Sequence, residues 1–428
     1  MIFCKKAGWG MALLFLCLIF GTGRTQKIEA AVQNVPESLE EESRLDTVGT
    51  DQETERAAVR EKTGQQEKEA GDTETDQAAA AQDELLAELD FDAIQQEVDS
   101  LLSSQQFSFA GTVRSLLQDG DPFRIFRAGN AVLSCAKTAF LAQKGLMKEL
   151  FLLVLAGAVL GSFSSLFEGK QVRDASFYMV YLLALALILK NFQSSGENLK
   201  AVITSLVAFM RILTPSYYLA AAAAGGASSA VMFYQMLLLV ILAVEKLLLA
   251  LVLPMIHIYL LIALVNDLSG EEILSHMTEL LETCVNGLLK SSLGVLVGMQ
   301  MIRNLIAPAL DSLRQMALWR TAGMIPGIGN AVNAVTELVA GSAVLIRNCF
   351  GVTAMLVLLA AGMVPAVQLL VSGLSFRLLA AAAQPVSDKR IAGCLAAAGK
   401  GYAMLLRLLL TVEVLFLLTI AILAGTFS

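Results

Sequence analysis

Six ionisable residues fall inside stretches that are otherwise almost wholly apolar: Arg211, Glu245, Lys246, Arg303, Arg407 and Glu413. A charge in such a setting is costly to strip of water, so it marks a site, a pathway or a partner. The plainer reading is a side chain that snorkels from a helix end to water. Both readings stay open for Arg211 and Arg303. Arg303 and Glu413 stand 110 residues apart and carry opposite charge, which suits a pair within the membrane. Conventional catalysis has less to work with. The two histidines, His257 and His276, lie in an apolar run and at the head of an amphipathic stretch, with no metal-ligand spacing between them. No glycine-rich phosphate loop, GxSxG elbow or carboxylate pair within one helix span is present. Cysteines 4, 17, 135, 284, 349 and 394 form no CxxC pattern and read as small apolar packing residues. The expectation is a chain that is not an enzyme, with no catalytic residue, cofactor or metal.

Helix breakers are the second resource. Pro215, Pro254, Pro326 and Pro365 each remove a backbone donor and free a carbonyl one turn back. Pro326-Gly327-Ile328-Gly329-Asn330 is the strongest break, because Gly327 and Gly329 permit backbone that other residues avoid. It either lines a cavity or is a turn.

The elements around these residues are expected to be membrane helices. Of the 428 residues, 56% are hydrophobic and only 16% charged, against roughly 25% charged in ordinary soluble proteins. The charge is unevenly placed. Residues 31–99 carry 21 acidic and 5 basic residues, whereas residues 100–428 carry 22 basic and 16 acidic. The acidic balance therefore belongs to one segment, and no dense basic stripe suggests nucleic acid.

Residues 1–30 read as a signal peptide, with Lys5 and Lys6 before the apolar run Met11–Phe20, either cleaved near Ala30 or kept as an anchor. Residues 31–82 are a disordered acidic linker, too poor in apolar side chains to offset chain entropy. Within 83–148, Leu85, Leu86, Leu89, Ile94, Val98, Leu101 and Leu102 recur at helical spacing, Asp119-Gly120-Asp121-Pro122 marks a turn, and 123–145 form a basic amphipathic stretch. These are expected to be extracytoplasmic amphipathic helices.

From 149 to 428 the reading is a multi-pass, all-α membrane domain. Stretches near 150–167, 175–192, 201–222, 229–253, 286–306, 342–363 and 400–424 are long enough to cross about 30 Å of hydrocarbon. The stretches 254–266 and 366–384 are short crossings, re-entrant segments or continuations of a kinked helix. Helices are required because backbone in lipid must satisfy its own hydrogen bonds. Orientation signals conflict. The signal segment puts the linker outside, whereas the basic residues ahead of 150 favour the opposite direction.

An internal repeat is expected. Pro215 and Pro326, and Pro254 and Pro365, are each 111 residues apart, while Cys284–Cys394 and Lys290–Lys400 are 110 apart. Units of about 200–306 and 311–425 follow, inverted if each crosses an odd number of times and parallel if even. Such duplications build sites at the repeat interface in many transporters, and a duplicated scaffold without a pathway is the other reading.

The run Met324-Ile325-Pro326-Gly327-Ile328-Gly329-Asn330-Ala331-Val332 is distinctive. So are Val344-Leu345-Ile346-Arg347-Asn348 with Gly351-Val352, and Val364-Pro365-Ala366 onward through Arg377-Leu378-Leu379-Ala380-Ala381 to Gln384-Pro385. Together they resemble the stage III sporulation protein AE family of endospore-forming bacteria, over about 85–428 and most specifically over 320–390. The acidic linker is outside the pattern, and Gly327 stands where a bulkier residue is expected. The resemblance implies a membrane component of a secretion-like channel, or feeding tube, joining mother cell and engulfed forespore. It implies a mother-cell membrane location around the forespore, and partners among the membrane proteins of the same operon and a forespore-side ring protein. The lipid bilayer is a further partner, with homo-oligomers open. A stand-alone secondary transporter, with substrate between repeats near Glu245 and Glu413, is the alternative.

Overall fold

The apolar stretches are helices, but they join into fewer and longer ones than hydropathy alone suggests. The computed structural model describes residues 91–102, 107–119, 129–164, 170–223, 228–269, 274–322, 329–385 and 387–425. The signal segment, the acidic linker, Pro326 and Gly327 lie outside the described residues.

Two short amphipathic helices come first, α1 (Phe91–Leu101) and α2 (Phe109–Asp119). Ile94, Val98 and Leu102 are all buried, four residues apart on one face. Gln95 ties the pair together, because its Nε2 donates to the Phe107 carbonyl and its Oε1 accepts from the Phe109 N–H. Ser108 caps α2 by accepting from the Gly111 N–H at 3.1 Å.

Six long helical rods follow. They are α3 (Gly129–Ser164), α4 (Lys170–Ala223), α5 (Ser228–Leu247) continued through a π-turn (Leu248–Val252) into α6 (Leu253–Ser269), α7 (Ser275–Ala322), α8 (Gly329–Ala383) and α9 (Lys389–Gly425). Among the described residues, five helical segments are long and apolar enough to cross a membrane: Phe177–Tyr217, Leu238–Ser269, Ser275–Met299, Gly341–Ala383 and Lys389–Ala421. The protein is an all-α, multi-pass membrane protein.

Four expected boundaries dissolve. The stretches 175–192 and 201–222 are one helix, α4, which continues through Lys190–Lys200. The stretches 342–363 and 366–384 are both within α8, so 366–384 is the continuation of a proline-containing helix. The stretch 254–266 likewise continues 229–253, and residues 129–145 of the basic stretch run into the next span as α3, with 123–128 outside the described residues. The prolines are accommodated differently. Pro215 and Pro365 lie inside α-helix, whereas Pro254 follows five residues of π-helix, where the Leu253 N–H donates to the Leu248 carbonyl. A widened turn keeps the proline ring away from the carbonyl it would otherwise strike.

Helix α9 is the centre of the bundle, packed against α8, α6, α4 and α7. Leu395, Ala398, Leu405, Leu408, Leu409 and Phe416 on it are all buried. Close approach is set by glycine. A Cβ on Gly399 would lie 3.2 Å from the Gly373 carbonyl oxygen and 2.8 Å from Arg377 Cγ, and one on Gly373 would lie 3.3 Å from Tyr402 Cβ.

Candidate functional site

The polar run of α4 meets Tyr402 of α9 inside the bundle. Asn191 Nδ2 donates to the Tyr402 hydroxyl oxygen at 2.6 Å, and Ser195 Oγ lies 3.2 Å from the same oxygen. The Tyr402 ring stacks on Phe376 of α8 at 5.2 Å and meets Phe192 edge-on at 5.2 Å. Phe192 in turn meets His257 of α6 edge-on at 5.3 Å. His257 Nδ1 lies 2.8 Å from the Leu253 carbonyl, and its ring fits only because residue 196 is glycine. A Cβ there would lie 2.6 Å from His257 Nε2. The histidine is thus a packed member of an aromatic seam.

Ser195 also opens onto a cavity of about 440 Å³ between α4, α8 and the end of α1. Asn198, Gln368 and Ser372 supply further polar groups, while Leu101 and Leu102 form an apolar wall. Pro365 and Ala361 both line it. Pro365 has no N–H, so the Ala361 carbonyl one turn earlier lacks its usual intrahelical partner. No charged side chain is in the lining. Such a cavity suits water or a neutral polar group.

Charged residues bind the helices together around this seam. Lys400 Nζ of α9 lies 2.5 Å from Glu282 Oε2 of α7 and 5.9 Å from the centre of the Tyr259 ring of α6. Arg407 Nη1 donates to Asn286 Oδ1 of α7 at 3.1 Å. At the end of the bundle, Arg390 lies over Phe177 and reaches the Leu268 carbonyl, and the Tyr181 hydroxyl donates to the Leu264 carbonyl.

The sequence-selected charges do not converge on one point. Arg211 and Lys246 are exposed, and Glu245 is half-buried on α5. Arg407 is exposed and serves the α9–α7 contact. Glu413 is 1% exposed and seated on Gly362 of α8, where a Cβ would lie 2.5 Å from each carboxylate oxygen. Glu413 Oε2 has no hydrogen-bond partner among the described residues. The side chain of Arg303, its expected partner, lies outside the described residues. Gly329 is the first residue of α8.

Sequence reasoning missed the Asn191–Ser195–Tyr402 network. Its signal was the run Lys190-Asn191-Phe192-Gln193-Ser194-Ser195-Gly196, which reads as a gap between spans when helices are counted one at a time. Arg347, only 1% exposed in α8, is a second buried charge, set at the end of the apolar run Val344-Leu345-Ile346.

A family model for stage III sporulation protein AE matches residues 107–426. The chain belongs to the stage III sporulation protein AE family. The stage III sporulation protein AE of Bacillus subtilis (strain 168) is 22% identical over 291 residues, 67% of this chain and 73% of that protein. No solved structure matches the chain. The stage III sporulation protein AE match spans the seam, the buried glutamate and two walls of the cavity. The third wall, Leu101 and Leu102 of α1, precedes the matched residues.

Proposed function

We propose that this protein is a non-enzymatic membrane component of the secretion-like channel complex that links mother cell and forespore. It acts in forespore development after engulfment, from the mother-cell membrane that surrounds the forespore. Its partners are other membrane proteins of the same sporulation operon and a ring protein on the forespore side. The observation that carries this reading is the uncharged polar cavity between α4 and α8, walled by α1 and set beside the Tyr402 seam, in a member of a sporulation family. A cavity with uncharged polar groups in its lining, at the meeting of long packed helices, suits a scaffold or conduit wall.

Residues 1–30 are then the export signal, residues 31–82 an acidic tether, and α1 and α2 extracytoplasmic contact elements. Units of about 200–306 and 311–425 are duplicated halves. This is supported by the placement of Pro254 and Pro365, each inside a rod whose last residue stands six positions before the start of the next helix, Ser269 before Ser275 and Ala383 before Lys389. The deciding experiment is the heat-resistant spore count of a deletion strain, with forespores imaged after engulfment. Stalled, shrunken forespores with normal vegetative growth are expected. Normal spore numbers would overturn the channel reading and leave a solute-flux assay in vesicles as the test of a transporter.

A further inference from the structure

The rods are too long for one bilayer. The apolar segments Phe177–Tyr217 and Gly341–Ala383 hold 41 and 43 residues, about 60 Å each at 1.5 Å per residue, against about 30 Å of hydrocarbon. Fitting them inside the lipid would need a tilt of about 60°, beyond the roughly 0–40° of spanning helices. The bundle therefore leaves the lipid part-way along its length.

Contacts set the common register. Arg390, Phe177 and Leu268 meet at one end. Tyr402, Asn191, Phe192 and His257 meet further along. Glu413 and Gly362 meet further still. Between the Arg390 end and the Tyr402 level the outer surface is a girdle of mostly apolar exposed side chains, including Leu152, Leu155, Met179, Leu183, Leu261 and Leu374, interrupted by Arg377 and by the Lys400–Glu282 pair. Next comes a belt of exposed lysines, Lys144, Lys148, Lys190, Lys200, Lys246 and Lys290, which outnumber the exposed acids Glu149 and Glu197 beside them. By helical rise the belt lies about 20–35 Å from the Arg390 end.

Past the belt the surface of α8 changes, while α5 and α7 still expose Leu239, Val295, Val297, Met301 and Ile302. Between Ser342 and Ala361 only Leu345 and Asn348 are exposed on α8, whereas its other half also exposes Leu370, Leu374, Arg377 and Leu378. In that far half α1 and α2 pack on the rods through Phe91, Phe109 and Phe350, with Tyr217 beside Phe350. Their outer faces expose Asp92, Asp99 and Arg114. Exposed charge on that wall is incompatible with hydrocarbon.

We propose that the bilayer covers only the half of the bundle between the Arg390 end and the lysine belt. The lysines sit among anionic lipid headgroups there, and the half clasped by α1 and α2 stands about 30 Å clear of the lipid. The placement holds whether or not the protein serves a channel.

Two methionines make the test direct. Met179 in the girdle is 77% exposed and Met301 on α7, beyond the belt, is 64% exposed. The full chain in nanodiscs containing phosphatidylglycerol is given a hydroxyl-radical pulse, and oxidation at each methionine is read by mass spectrometry. Met301 is expected to oxidise at least tenfold faster than Met179. Protection of both, oxidation of both at similar rates, or the reverse order would overturn the placement. For the headgroup contact, the thermal midpoint in phosphatidylglycerol nanodiscs is compared with that in phosphatidylcholine. The wild-type chain is expected to be more stable in the anionic lipid and the Lys190→Glu/Lys200→Glu variant to lose that preference. No lipid difference in the wild-type chain would overturn the headgroup assignment.

Discussion

Replacing Gly362 with alanine tests how tightly α8 holds the buried carboxylate of Glu413. The added Cβ would lie 2.5 Å from both carboxylate oxygens, about 1 Å inside ordinary contact, and the glutamate is 1% exposed with α8 and α9 pressed together around it. The carboxylate ends a flexible side chain, but at 1% exposure it can swing aside only into neighbouring buried groups. Overpacking of this kind costs about 1–3 kcal/mol. At roughly 2 °C per kcal/mol for a large domain, the thermal midpoint of the purified protein should fall by about 2–6 °C. Glu413→Gln keeps the shape and should not relieve the clash, whereas Glu413→Ala removes the atoms that the new methyl group would meet. The Gly362→Ala/Glu413→Ala variant should therefore be more stable than the sum of its single effects, with a coupling of about 1–3 kcal/mol. Strict additivity in that cycle, measured by thermal unfolding in one detergent, would refute the reasoning.

Four other outcomes follow from the same geometry. Tyr402→Phe leaves the Asn191 amide without its 2.6 Å acceptor and should cost about 1–3 kcal/mol by the same unfolding assay. Lys400→Glu should lower protein level, and the exchange with Glu282→Lys should restore much of it on immunoblots, because the 2.5 Å pair is re-formed. Deleting Ala250 should be tolerated better than deleting Ala263, since the π-turn already holds an extra residue; equal loss of protein level would count against this. Gln368→Leu/Ser372→Leu narrows the polar cavity and should lower heat-resistant spore counts at unchanged protein level.

Much of the helical pattern is legible in the sequence because burial follows spacing. Ile94, Val98 and Leu102 mark the inner face of α1, and α2 ends at Asp119; Gly120-Asp121-Pro122 lie outside the described residues. Helix continuity is not legible, for a physical reason. Lys190–Lys200 looks like a loop because hydropathy assumes that polar groups seek water. Here Asn191 and Ser195 are satisfied by Tyr402, more than two hundred residues away in the chain. Proline misleads in the same direction. Its missing bond is a local fact, whereas the packing around a helix that continues past Pro365 comes from α9, α4 and α3. The site was only partly legible. Glu413 stands out as a lone acid in an apolar run, but nothing near Gly196 announces that His257 needs its space.

The continuity of these rods also settles a matter of parity. Six rods, each antiparallel to the next, bring the start of α3 and the end of α9 to the same end of the bundle. That is the end where α1 and α2 pack on Phe350. A reporter enzyme fused beyond α9 would therefore share a compartment with the amphipathic helices near the other terminus. A tag at the C-terminal end reads out which side of the membrane α1 and α2 face, without touching either of them.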